Sequence, residues 1–291
     1  MNILSAVAKL TRIEHSLLLI IAVVAAELIS GGIPQLPIFA LSLITPFFVS
    51  MGAFAINDYF DVETDKANKR TDRPIVSGAI SRRGAYYVAI ASFAIGIAAS
   101  AFINIYALVI ALVFAWLAYL YAQRMKDMLL VGNVYVASSM VIPFIFGNMV
   151  VSSTISTSIV LISFIVFSSG LAREIHGMIR DRSGDINVRG ARNLIRYIGV
   201  KKSATIALIL YVEAIGIGIF LFFYDFPFKY NLLYLILVTV ANLMFAYVAF
   251  GYMNKDNRRF FDLSRNLSLA GMGIALIAFL LAPILYIGAY V

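Results

Sequence analysis

The chain has 291 residues, of which 62% are hydrophobic and 13% charged, with a formal net charge of +8 and no cysteine. A water-soluble domain carries about 25% charged residues, and a globule of this length could not hide so much apolar surface, so lipid is the expected solvent. The missing cysteines rule out disulfides and Cys-ligated zinc or iron–sulfur centres, and the two histidines, His15 and His176, lie too far apart in sequence to announce a His-rich metal site.

A bilayer core takes about 20 apolar residues per spanning helix. Nine such runs follow one another, near 14–33, 37–56, 84–103, 105–122, 130–150, 155–175, 203–223, 231–252 and 267–288. They lack the two-residue alternation of a membrane barrel, so each is expected to be a helix. Pro46, Pro143 and Pro283 fall inside runs, as membrane bundles tolerate. The expected fold class is all-α: a multi-pass membrane bundle forming one domain over 1–291, with cap loops at about 57–83 and 176–202. The first run is followed directly by another and shows no small-residue cleavage signal, so no removable signal peptide is expected.

Charge placement tests the helix count. With nine spans, every Lys and Arg except Lys229 falls on one side. The positive-inside rule then puts the N-terminus and both long connections in the cytoplasm and the C-terminus outside, in a cell membrane. Basic charge in this setting serves topology and anionic ligands. Neither nucleic acid nor an obligate protein partner is expected.

The connection after run 2 opens Asn57-Asp58-Tyr59-Phe60-Asp61-Val62-Glu63-Thr64-Asp65. If helix continues past the membrane, Asn57, Asp61 and Asp65 share one face at i, i+4, i+8. Like charges at that spacing repel, and a divalent cation between them removes the repulsion. All-oxygen ligands suit Mg²⁺, which keeps waters and completes its shell with substrate phosphate. The connection after run 6 holds Asp181-Arg182-Ser183-Gly184-Asp185, again with carboxylates four apart. Both long connections follow an even-numbered run and are acidic near their start, which suggests an internal duplication; Asp61 to Asp181 and Asp65 to Asp185 are both steps of 120 residues, and the two clusters are expected to face each other across the bundle axis, each holding Mg²⁺ on one diphosphate. Gly184 weakens helix propensity, so a turn is expected there. Asp58 joins the candidate metal ligands Asn57, Asp61, Asp65, Asp181 and Asp185. Arg70, Arg73, Arg124, Lys126 and Arg180 supply cations that could offset a leaving diphosphate.

The string Asn57-Asp58-x-x-Asp61-x-x-x-Asp65 resembles the NDxxDxxxD motif of the UbiA superfamily of intramembrane prenyltransferases. Asp72-Arg73-Pro74-Ile75 with Ser77-Gly78 resembles that family's DRPxxxG stretch. Tyr121-Ala122, Lys126 and Gly132-Asn133 resemble its Tyr-Ser, Lys and Gly-Asn element, and Arg173-Glu174-Ile175 through Asp185 its second aspartate motif. Ala26-Glu27-Leu28-Ile29 and the Arg173-Glu174-Ile175 opening look like the archaeal branch, which transfers a geranylgeranyl group to the free hydroxyl of geranylgeranylglyceryl phosphate in ether-lipid synthesis. The chain departs from that branch at Gly177 and Met178, where Lys and Asp are usual, and at Ser183, where Glu is usual.

The resemblance implies Mg²⁺-dependent release of diphosphate from geranylgeranyl or geranyl diphosphate. Asp61, Asp65, Asp181 and Asp185 would be catalytic, and Arg73, Lys126, Arg124, Arg70, Tyr121, Asn133 and Arg12 substrate-binding. Tyr59 is a further candidate near the cation, and the surrounding partners are membrane lipids. An aromatic acceptor such as 4-hydroxybenzoate, a naphthoate or a tetrapyrrole is the alternative. A transporter is the remoter one, because transporters place their acids at the bilayer midplane whereas these clusters lie outside the spans. Glu27 and Glu213 fall inside runs 1 and 7; Glu27 is expected in a structural role near the outer end, and Glu213 either pairs with a polar neighbour or lines the cavity.

Overall fold

The computed structural model describes residues 2–188, 194–224 and 226–288, and of 182–188 and 286–288 the backbone alone. Its helices are α1 (Ile3–Thr11), α2 (Ile13–Ser30), α3 (Leu36–Ala67), α4 (Arg82–Ala101), α5 (Ile105–Gln123), α6 (Val131–Val151), α7 (Thr157–Val188), α8 (Leu194–Tyr224), α9 (Leu232–Asn254) and α10 (Arg258–Gly288), with a 3₁₀ turn at Met125–Asp127. No strand occurs among the described residues. Nine helices, α2 to α10, are long and apolar enough to cross a membrane, and the chain is a multi-pass membrane protein.

Local chemistry sets the helix starts. Side-chain oxygens of Asn2, Ser81, Asn104 and Asn231 accept from the backbone N–H three residues on, at 2.8–3.0 Å. Each satisfies one donor that the first helical turn leaves unpaired. Pro37 sits in the first turn of α3, where no N–H is needed.

Each helix from α2 to α10 packs on its neighbour in sequence, and α10 returns to α2, so the spans close into a ring. Within it α2 lies along α6 and α3 along α5. Small residues make these approaches close. The buried residues of α5 are all alanine: Ala107, Ala111, Ala115, Ala118 and Ala122. A Cβ on Gly147 of α6 would stand 2.5 Å from the Val23 carbonyl of α2, so only glycine fits that crossing. Lipid supplies no hydrophobic drive between helices, and tight backbone contact takes its place.

Three expectations are corrected. The stretch 57–83 is not all cap loop, because α3 runs on through Ala67. Likewise α7 runs on through Val188, with helical backbone across Gly184 in place of the expected turn. The helix after Asn254 resumes at Arg258, so run 9 begins earlier than its apolar residues show. In each case charged residues extend a helix beyond its hydrophobic stretch, and a hydropathy count ends too soon. The short helix α1 was not expected. It lays Ala6, Leu10 and Thr11 inward along α3 and leaves Ile3 and Leu4 exposed.

The duplication has a structural counterpart. Helices α3 and α7 are both 32 residues long. Each packs chiefly on the helix that follows it, and each carries its acidic string at its C-terminal end.

Candidate active site

The end of α3 is held by charge. Asp58 is 2% exposed, and one of its oxygens, Oδ1, accepts from Arg73 at 2.9 Å and from Arg12 at 3.2 Å. Arg73 Nε also lies 3.7 Å from Asp65. One turn from Asp58, Asp61 is bracketed: Lys126 donates to Oδ1 at 2.5 Å and Asn57 Nδ2 to Oδ2 at 2.9 Å. These partners neutralise the i, i+4 carboxylates that would otherwise break the helix. Arg12 joins α1 to α2 in a left-handed conformation (φ 47°, ψ 56°) that turns α1 back across the end of α3. Burial first, then the like charge of Arg73, pulls its guanidinium below its ordinary pKa; Asp58 opposes the shift.

The end of α7 borders a cavity of about 380 Å³. Asn133 of α6, Arg173, Glu174, His176, Arg180 and Asp181 of α7, Tyr252 of α9, and Ser264, Arg265 and Ser268 of α10 line it. Asn133 Nδ2 lies 3.5 Å from Glu174. Arg180 grips Asp181 through two bonds of 2.8 and 2.6 Å. His176 stacks on Tyr252 with ring centroids 3.7 Å apart.

The two acidic helix ends are joined through the start of α6. Gly132 packs so closely on Lys126 that a Cβ would lie 3.1 Å from the Lys126 Cα. Thus Lys126, held by Asp61, is next to Asn133, held by Glu174. Tyr121 stacks on Tyr135 at 4.5 Å and lies within electrostatic reach of both Asp61 and Glu174.

Not every expected residue is gathered. Asn57, Asp58, Asp61 and Asp65 do not line the cavity. Arg70 is turned outward by two bonds of 2.9 Å to Asp72, whose carboxyl it holds at a pKa of about 2. Arg124 is exposed at the end of α5. Asp185 lies outside the described side chains. Glu213 is exposed on the outer surface of α8, against the expectation that it pairs or lines the cavity. Glu27 is fully buried beside Ser42 of α3. Ser264, Arg265 and Ser268 reach the cavity from more than 70 residues beyond the second aspartate string, and no motif marked them.

Sequence and fold comparisons decide the family. The model of the UbiA prenyltransferase family matches residues 18–270. This chain belongs to the UbiA prenyltransferase family. It is 35% identical over 282 residues to the digeranylgeranylglyceryl phosphate synthase of Archaeoglobus fulgidus, covering 95% of this chain and 94% of the relative. The corresponding synthase of Thermococcus kodakarensis is 34% identical over 206 residues, covering 70% and 73%. Among solved structures, one giving structural and mechanistic insights into digeranylgeranylglyceryl phosphate synthase in membranes superposes with a TM-score of 0.79 at 28% identity, covering 98% of this chain and 99% of the other. A UbiA homolog from Archaeoglobus fulgidus bound to GPP and Mg²⁺ shares the fold, with a TM-score of 0.64 at 18% identity over 94% of this chain and 99% of that one.

In this UbiA prenyltransferase the donor set can be tested for a divalent metal. Among the described residues no three acidic or histidine side chains already form a metal-sized cluster. Asp61 and Asp65 turn to Lys126 and Arg73. Two acceptor oxygens beside them, Asn57 Oδ1 and Asp58 Oδ2, are buried with no partner. Unpaired buried oxygens next to carboxylates are what a hard cation satisfies, so the residues fit Mg²⁺.

Proposed function

We propose that this prenyltransferase carries a geranylgeranyl group from its diphosphate to the free hydroxyl of geranylgeranylglyceryl phosphate, in ether-lipid synthesis and with Mg²⁺. The observation that carries the reading is the near full-length similarity to relatives named for that synthesis. It comes together with two acidic helix ends 120 residues apart, linked through Lys126 and Asn133. The enzyme sits in the cell membrane with its N-terminus and both acidic ends cytoplasmic.

In this reading Asn57, Asp61 and Asp65 hold one Mg²⁺, and Asp181 and Asp185 a second. Asp58 belongs to the same string, and its two ion pairs also fix Arg12 and Arg73 in place. Bound Mg²⁺ supplies Lewis acidity toward the diphosphate. Arg73 and Lys126 turn from their carboxylates to the diphosphate oxygens and stabilise the charge that develops there. The allylic C–O bond breaks with its electron pair going to the departing diphosphate, the acceptor oxygen forms the new C–O bond, and the hydroxyl proton passes to the released diphosphate. Tyr121 presents an aromatic face to the allylic cation, and Asn133 fixes Glu174 beside it. The helical surround keeps water from the cation, which water would otherwise consume.

The purified protein with Mg²⁺, geranylgeranyl diphosphate and geranylgeranylglyceryl phosphate should release diphosphate and form the diether product. Asp61→Ala should cut the rate at least about 100-fold, the scale for loss of an electrostatic group at a reacting centre. Product with 4-hydroxybenzoate and none with the lipid would move the enzyme to the aromatic branch. Normal turnover by Asp61→Ala would remove the proposed site.

A further inference from the structure

A second cavity, of about 50 Å³, lies inside the bundle between α2, α3, α5 and α6, walled by Leu19, Thr45, Ser50, Phe114, Ser139 and Phe146. It has room for roughly four methyl-sized groups, close to one isoprene unit. Among the described residues, none from either aspartate string lines it. Ser50 precedes Asn57 by 7 residues and Ser139 follows Asn133 by 6, which sets its top roughly 10 Å beneath the acidic ends at about 1.5 Å per helical residue. Thr45 precedes Asn57 by 12 and Phe146 follows Asn133 by 13, which sets its bottom at roughly 18–20 Å. Stacked rings lead down to it. Tyr121, within electrostatic reach of Asp61, stacks on Tyr135 at 4.5 Å, and Tyr135 stacks on Phe114 at 5.8 Å.

The far end is closed. Phe146 is 3% exposed, and the next residue, Gly147, meets α2 so closely that a Cβ would stand 2.5 Å from the Val23 carbonyl. Val23 is one turn beyond Leu19 of the cavity wall. Two backbones in contact leave no gap, so a chain entering from the acidic ends stops there. One turn further along α2, Glu27 is buried against Ser42, and an apolar chain end pushed past the crossing would strip that carboxyl of its partner. An extended chain gains about 3.6 Å per three bonds, so a geranylgeranyl tail spans roughly 18 Å and a geranyl tail roughly 8 Å. The first reaches the bottom of the cavity, and the second ends above it.

We propose that Phe146, backed by the Val23–Gly147 crossing, limits the donor's tail to four isoprene units. The tail runs down the rings of Tyr121, Tyr135 and Phe114, and its last unit fills the cavity and meets the Phe146 ring. Around that unit Ser139 donates to the Val136 carbonyl and Ser50 accepts from Ser16, so both hydroxyls are already bonded within the protein. This rests on the prenyl-diphosphate reading above and adds what fixes the chain length.

Full-length protein with Mg²⁺ is titrated with geranyl, geranylgeranyl or geranylfarnesyl diphosphate, and the rise in Tm gives each apparent Kd without an acceptor. Wild type should prefer the four-unit donor to the five-unit one about tenfold or more, the scale for one misfit group in an apolar pocket. Phe146→Ala should abolish that preference. Ser139→Phe, which fills the upper part of the cavity, should weaken geranylgeranyl diphosphate about tenfold. Both variants should bind geranyl diphosphate as wild type does, because that tail ends above the cavity; this also reports that they are folded. If Phe146→Ala does not fold, Phe146→Leu replaces it and must relax the preference in part. Equal binding of the four- and five-unit donors by wild type overturns the proposal, as does a folded Phe146 variant that keeps the wild-type preference. Ether formation from geranylgeranylglyceryl phosphate is measured alongside. If no ether forms yet the preference is present and lost in Phe146→Ala, the acceptor assignment falls and the chain-length limit stands. If ether forms and the preference is absent, the limit falls alone.

Discussion

Asp58 shows what a single buried charge does in this protein. Its carboxylate binds two guanidiniums that come from different parts of the chain, Arg12 between α1 and α2 and Arg73 after α3. Removing one member of a buried pair leaves the others uncompensated, at a cost on the order of 3 kcal/mol. Asp58→Asn should therefore lower the apparent Tm of the detergent-solubilised protein and, by freeing Arg73, reduce turnover. Adding Arg12→Gln should recover part of the lost Tm, because one unpaired charge is then gone. Additive losses in the double variant would show that the two residues act independently. The sequence placed Asp58 among metal ligands because it reads composition and spacing. Which oxygen faces which arginine depends on a contact 46 residues away.

Helix crossings decide which glycines matter. Gly147 lets α6 touch the α2 backbone at Val23, whereas a Cβ on Gly216 of α8 would meet no atom within 4 Å. Gly147→Ala should destabilise by about 1–3 kcal/mol, as overpacking does. Gly216→Ala should be neutral or slightly stabilising, since alanine costs less backbone entropy in a helix. Thermal unfolding of both variants checks the contrast, and equal effects would contradict the packing described. Both are glycines inside apolar runs, so local sequence gives no reason to separate them. The long extensions of α3 and α7 have the same origin. The carboxylates at Asp58, Asp61 and Asp65 read as the start of a loop until Arg12, Arg73 and Lys126, supplied by other segments, neutralise them.

For the molecule as a whole, charge segregation makes a claim about sidedness. By the order of the nine spans, every Lys and Arg of the sequence except Lys229 belongs to connections on the side of the acidic strings, and on the positive-inside rule we propose that this side faces the cytoplasm. The chain has no cysteine, so single cysteines can report sidedness directly. In sealed cells Lys229→Cys should react with a membrane-impermeant maleimide, and Lys69→Cys should react only after lysis. Labelling of both from the same side would overturn the orientation and, with it, the placing of the active site at the cytoplasmic face.

The number of spans, the helical class and the two aspartate strings were fixed by the sequence alone. Hydropathy and charge are local, additive properties, and the bilayer imposes one length on every crossing. Tertiary structure decided which charges meet. The pairing of Lys126 with Asp61, the turning of Arg70 to Asp72, and the arrival of Ser264 and Arg265 at the cavity beside α7 all follow from closing the ring of helices. Such contacts join residues far apart in the chain, and only packing brings their side chains within bonding distance.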